Sequence, residues 1–188
     1  MFQPGTNWCY STGLDWAGKI VEKVSKKTLE EFMQANIWTP LSMKNTTFHP
    51  ERREAFPMLA MGTRSTRNSP LVPAKLIYPI PAQNEAGGAG LFSNCEDYAK
   101  LLGALLCDDS PILNKESIEK FVEPQLSQAS RRGLDEKRGM GLVLSEIPNE
   151  IPTNHALGGL YLEAAVPGGR SKGSITWDGM SSSNWVSR

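Results

Sequence analysis

The sequence is short of several things, and each shortage removes a class of function. Only three of 188 residues are cysteine, and Cys9, Cys95 and Cys107 share no short metal-ligand spacing. A scattered odd set builds no disulfide framework, so a reducing interior, the cytoplasm, is the expected compartment. Only two histidines occur, His49 and His155, neither within a recognisable metal-ligand motif. No metal site is expected, and both read as surface or capping residues. Twenty basic residues face 20 acidic ones with no long block of either sign. The electrostatic footprint of a nucleic-acid or anionic-membrane binder is therefore missing, and a small neutral or mixed-charge ligand fits better. No run of about 18 apolar residues and no basic-then-apolar leader is found, so neither a membrane span nor a signal peptide is indicated. Phosphate loops of the G-x-x-x-x-G-K-[ST] type are absent, and no cofactor is implied.

What is present suits one mixed domain. The length allows a sizeable single core over residues 1–188, and 17 glycines and 13 prolines with 39% apolar residues are ordinary for a fold of helices and strands. After the turn "NWCYSTG", Leu14, Ala17, Ile20, Val21 and Val24 recur at helical spacing and predict a helix whose apolar face packs inward. Thr28 and Glu31 form a T-x-x-E capping box for a second helix through Leu29, Phe32, Met33 and Ile37, which Pro40 stops. The proline-punctuated stretch that follows, to Pro81, reads as short strands and loops, too apolar for a disordered linker. Gly87, Gly88 and Gly90 form a cluster better suited to a hinge or a close backbone approach than to an anion cradle. Ser93 and Glu96 read as a second capping box for a helix carrying Tyr98, Leu101, Leu102, Leu105 and Leu106. A shorter helix is predicted from Asn114 to Val122, and a polar surface stretch from Gln125 to Arg138. The segments "GMGLVLSEI", "GGLYLEAAVP" and "GSITWDGM" are rich in β-formers and bounded by glycine or proline, so the last third predicts an antiparallel sheet. Helices first and strands last give an α+β fold without internal repeats.

Three stretches, in order, resemble one family: residues 4–48 around "NWCYSTGLDWAG", residues 87–106 "GGAGLFSNCEDYAKLLGALL", and residues 167–179 "PGGRSKGSITWDG". They are similar to the serine β-lactamase-like superfamily, in the branch of class C-type hydrolases, esterases and fungal lovastatin-type acyltransferases. The resemblance implies a β-lactamase/transpeptidase-like α+β fold and acyl transfer through an acyl-serine. There a serine and lysine in S-x-x-K act as nucleophile and proton acceptor, a turn tyrosine assists proton transfer, and a W-G-G or K-T-G strand borders the oxyanion pocket. The chemistry needs such a set, because a hydroxyl attacks well only when a base takes its proton and the oxyanion needs fixed donors. Tyr10 of "YST" matches the tyrosine, with Thr12 where Asn or Ser is usual, and Trp177 and Gly179 of "WDG" match the strand motif as substrate-binding positions.

Two departures qualify the match. Asp178 stands where the second glycine is usual, and its carboxylate would oppose an oxyanion unless it points away. The S-x-x-K expected upstream of Tyr10 is not in the chain, which on this reading is the middle and late part of a longer protein. The one S-x-x-K present, Ser117 and Lys120, lies on the wrong side of the tyrosine and reads as solvated helix positions, since roughly one such match arises by chance. Without the family, Tyr10 reads as a half-buried turn residue packed beside Trp8 and Trp16, and Trp177 as an ordinary core strand residue. Two functions follow: a partial serine hydrolase or acyltransferase acting on a small-molecule ester or thioester, or a non-catalytic truncated relative. A fragment of that kind would expose apolar surface and dissolve poorly.

Overall fold

The computed structural model describes residues 2–66, 68–76, 78–141, 146–179 and 184–187. Backbone contacts divide the chain into two compact units, one of residues 1–11 and 102–188 and one of residues 12–101. Among the described residues no helix is long and apolar enough to cross a membrane.

The unit of residues 12–101 begins with helix α1, Gly13–Ser25, closed by Lys26 in the left-handed conformation at φ 60°. Helix α2, Leu29–Met33, starts at the predicted capping box, where the Thr28 side chain accepts from the Glu31 amide and Glu31 reaches back to the Thr28 amide. The helix then runs on through a π-type turn, Gln34–Trp38. Leu29, Trp38, Met43 and Phe48 form the core here, flanked by Val21, Met33, Ile37, Leu41 and Leu101.

Contrary to the sequence expectation, α1 packs by little of its apolar stripe: Val21 alone of the predicted residues flanks the core. Leu14, Ile20 and Val24 are 64%, 63% and 78% exposed, and Gly18 is the buried residue. A glycine at that point lets the helix approach Leu29 and the Gly87 backbone closely, and a side chain at Gly87 would strike the Leu14 carbonyl. The glycine cluster is thus a close-approach loop, and Gly88 donates to Asp15 at 2.8 Å.

The proline-rich stretch holds one minimal hairpin, β1 Gly62–Thr63 against β2 Val72–Pro73. Helix α3, Cys95–Leu106, follows the glycines. Its cap lies one residue later than predicted: Asn94 Oδ1 accepts from the Asp97 amide, while Ser93 is engaged with the Thr46 hydroxyl.

The other unit takes up the end of α3, then α4 Lys115–Val122, within the predicted span and capped by Asn114, and α5 Gln128–Gly139. Strands β3 Thr153–His155, β4 Leu160–Leu162, β5 Ile175–Asp178 and β6 Asn184–Ser187 make one antiparallel sheet in sequential order. Strands β4 and β5 fall in predicted segments, whereas β3 and β6 carried no sequence signal. Residues 142–145 of "GMGLVLSEI" lie outside the described residues, and Gly139 at its start ends α5.

The stretch from Gln125 to Arg138 is a correction. It forms α5, and Ser130, Gly133, Leu134 and Arg138 are buried on one face. That face escaped an apolar count because only Leu134 of the four is a large apolar residue. Leu134 joins Ile147, Ile151, Leu160 and Leu162 in the core, with Trp8, Leu126, Val166 and Trp177 packed around them.

Candidate active site

The opening turn is placed by α5. Ser130 Oγ donates to the Gly5 carbonyl at 2.8 Å. One turn later Gly133 leaves room for the Asn7 side chain and the Trp8 carbonyl, both of which sit where a β-carbon would be. Asn7 in turn accepts from the Trp8 amide at 2.8 Å, folding the segment tightly just before Tyr10. The two small residues of α5 thus serve as a seat for residues 5–10.

So seated, Tyr10 reaches Trp177 of β5. Their rings are stacked, 6.3 Å between centroids and 5° between planes. Tyr10 itself is 64% exposed, Trp177 is half-buried, and Gly179 is exposed just beyond the end of β5. The partner of Tyr10 is thus Trp177 rather than the Trp8 and Trp16 expected from its sequence neighbourhood. Trp177 pairs across strands with Trp185, which lines an apolar cleft of about 280 Å³ with Leu106, Phe121, Tyr161 and Ile175.

Sequence reasoning missed His155. It is not a surface or capping residue: its ring meets Trp177 edge-on at 5.3 Å and 69°, and lies 5.9 Å from Trp8. Burial holds it below the ordinary histidine value, against the pull of its bond to the Ala156 carbonyl. The other histidine, His49, is equally far from the expected surface role. It is buried between Glu51, 3.1 Å from Nδ1, and Glu85, 2.7 Å from Nε2.

Asp178 pairs with Asn184, whose amide donates to Glu146 at 2.7 Å. Burial and then the Glu146 carboxylate push the Asp178 carboxyl above its ordinary value. Ser117 and Lys120 lie on α4, where Lys120 is 66% exposed and bridges Glu116 at 3.4 Å. That arrangement leaves the lysine solvated and ion-paired.

A fold of helices with an antiparallel sheet, and a tyrosine turn laid against a W-D-G strand, define the class, and the chain belongs to the Beta-lactamase family, whose description matches residues 1–187. Among curated relatives it is similar to a lovastatin esterase of Penicillium rubens, 31% identical over an alignment of 192 positions that covers 98% of this chain and 48% of that protein. It is also similar to the ML-236A carboxylate methylbutanoyltransferase of Penicillium citrinum, 32% identical over 94% of this chain and 44% of that one. Its structure resembles the unliganded simvastatin synthase of Aspergillus terreus with a TM-score of 0.90 at 26% identity, over 98% of this chain and 48% of that chain. The chain spans less than half the length of these relatives.

Proposed function

We propose that the chain is the tyrosine-bearing part of an acyl-serine esterase or acyltransferase acting on a small-molecule ester or thioester, without metal or cofactor. One observation carries the reading: Tyr10 and Trp177, from opposite ends of the sequence, lie ring on ring within one unit. In this reading Tyr10 relays the proton between nucleophile and leaving group, and Trp177 and Gly179 border the acyl group. The cleft beside Trp185 offers an apolar surface for an acyl chain. The nucleophilic serine and its lysine come from polypeptide outside these 188 residues. Three exposed free cysteines accord with a cytoplasmic setting.

A second reading, a non-catalytic relative, is favoured by the solvated, ion-paired state of the one S-x-x-K, Ser117 and Lys120. The test measures p-nitrophenyl ester turnover and fluorophosphonate labelling in two arms. One arm is the chain alone, the other the chain mixed with the part of the P. rubens esterase it does not span. Labelling and turnover in the mixture, lowered about 100-fold by Tyr10→Phe, are expected. Inactivity in both arms would leave the non-catalytic reading standing.

A further inference from the structure

Tyr10 and Trp177 belong to a run of four rings whose two ends lie on one segment. Trp177 meets His155, His155 meets Trp8, and Trp8 stands two residues before Tyr10 on the segment seated by α5. His155 is the most constrained member. Its amide donates to Asn154 Oδ1 at 2.8 Å, and its carbonyl accepts from the Gln125 amide at 2.9 Å. Asn154 is itself clamped, accepting from the Leu126 amide at 2.9 Å and donating to the Leu126 carbonyl at 3.3 Å and to Glu163 at 3.2 Å.

The ring is tied as well, because Nδ1 lies 2.6 Å from the Ala156 carbonyl. A carbonyl oxygen only accepts, so Nδ1 carries a hydrogen, and the neutral ring has its lone pair on Nε2. Backbone and ring are therefore both held before anything binds. Tyr10, by contrast, is largely exposed and has the Trp177 face as its ring contact.

We infer that His155 is a positioning residue of the candidate site: anchored to the Ala156 carbonyl, its ring sets the orientation of the Trp177 indole and, through that indole, of Tyr10. The half-buried Trp177 indole packs at the edge of the Leu134 core, and the edge-on imidazole adds the contact that fixes its rotation about its side-chain bonds. The stack with Tyr10 then forms at one angle. Its use in acyl transfer rests on the function proposed above, but the geometry does not, and it can be read without substrate or turnover.

The test uses the full chain labelled with 5-fluorotryptophan, and separately with 3-fluorotyrosine, read by fluorine NMR. The Trp177 and Tyr10 lines are assigned with Trp177→Phe and Tyr10→Phe. His155→Ala is expected to shift both lines and leave that of Trp38, in the other unit, in place. His155→Phe, which keeps a ring at the contact, should bring the Trp177 line part of the way back. The decisive comparison repeats His155→Ala in a Trp177→Ala background, where the Tyr10 shift should vanish because its carrier is gone. An unmoved Tyr10 line would overturn the inference, as would a Tyr10 shift that persists without Trp177. Movement of the Trp38 line along with the others would mark a general loss of packing and overturn it too. Failure of the esterase test with these shifts intact would instead remove the proposed function alone.

Discussion

The side chain of Asn7 fills the space in which a side chain at Gly133 would have to begin. Two elements far apart in sequence meet there with no room to spare, and the Trp8 carbonyl crowds the same point. Gly133→Ala should therefore push residues 5–10 off α5, at a cost of about 2 kcal/mol by the usual scale of overpacking. Urea denaturation measures that loss. Near-UV circular dichroism should report weakening of the Tyr10–Trp177 stack in the folded variant, and an unchanged spectrum would separate the seat from the stack.

Arg138 is 3% exposed. Its two terminal nitrogens donate to the carbonyls of Ile147, Pro148 and Ile151 and to the Thr153 hydroxyl. Burial holds its pKa below the ordinary arginine value, with Asp135 and Glu150 pulling the other way. The guanidinium thus ties α5 to the segment that leads into β3. Arg138→Met takes a donor from all four acceptors, of which the Pro148 carbonyl keeps the Ile151 amide, and should cost roughly 3 kcal/mol, read by chemical denaturation. Arg138→Lys keeps the charge but not the fork, and should recover only part of the loss.

Acid should weaken the unit of residues 12–101. Burial raises Glu85, but the Glu30 amide, His49 and Thr28 outweigh it and hold the carboxyl below its ordinary 4.5. Asp97, fully buried, is likewise held below 3.8, where bonds from the Asn45 amide, Lys100 and Thr46 outweigh burial. For such groups the unfolded chain takes up protons first as pH falls. Their stabilisation is complete above the ordinary carboxylate values and is lost as pH drops through the lower, folded ones. Denaturation midpoints between pH 7 and pH 3, at steps of about half a unit, should fall accordingly. Glu85→Gln and Asp97→Asn should flatten the slope while lowering the midpoint at neutral pH.

The exposed stripe of α1 predicts behaviour rather than stability. Ile20 and Val24 stand one turn apart, 63% and 78% exposed. Ile20→Glu with Val24→Lys places an ion pair at the favourable spacing on that surface. Stability should change by less than about 0.5 kcal/mol, and light scattering should show monodisperse chain at higher concentration. A large loss of stability would mean that the stripe is packed in solution.

Local chemistry was legible where it is local. The Thr28 and Glu31 box, the Asn114 start of α4 and the β-rich segments at β4 and β5 all follow from residue types at short spacing. The signal failed where burial uses small or polar residues. The inner face of α5 is built of serine, glycine, leucine and arginine, and that of α1 of Gly18 and Val21, so an apolar count places one helix on the surface and buries Leu14, Ile20 and Val24 of the other that stand exposed. Of the candidate site, Tyr10, Trp177 and Gly179 could be named from motifs, whereas His155 sits in no motif and gains its place only through Asn154, Ala156 and Trp177.

The sequence by itself determined that the fold mixes helices with an antiparallel sheet, because hydrophobic period, caps and turn residues act over a few positions. Which ring meets which was decided by tertiary structure alone. Tyr10 stacks on Trp177 because Ser130 and Gly133 of α5 seat its turn and β5 brings the indole to it, and His155 faces that indole because Ala156 and Asn154 hold it there. Contacts of that range depend on the space left by many side chains at once, which no short window of residues encodes.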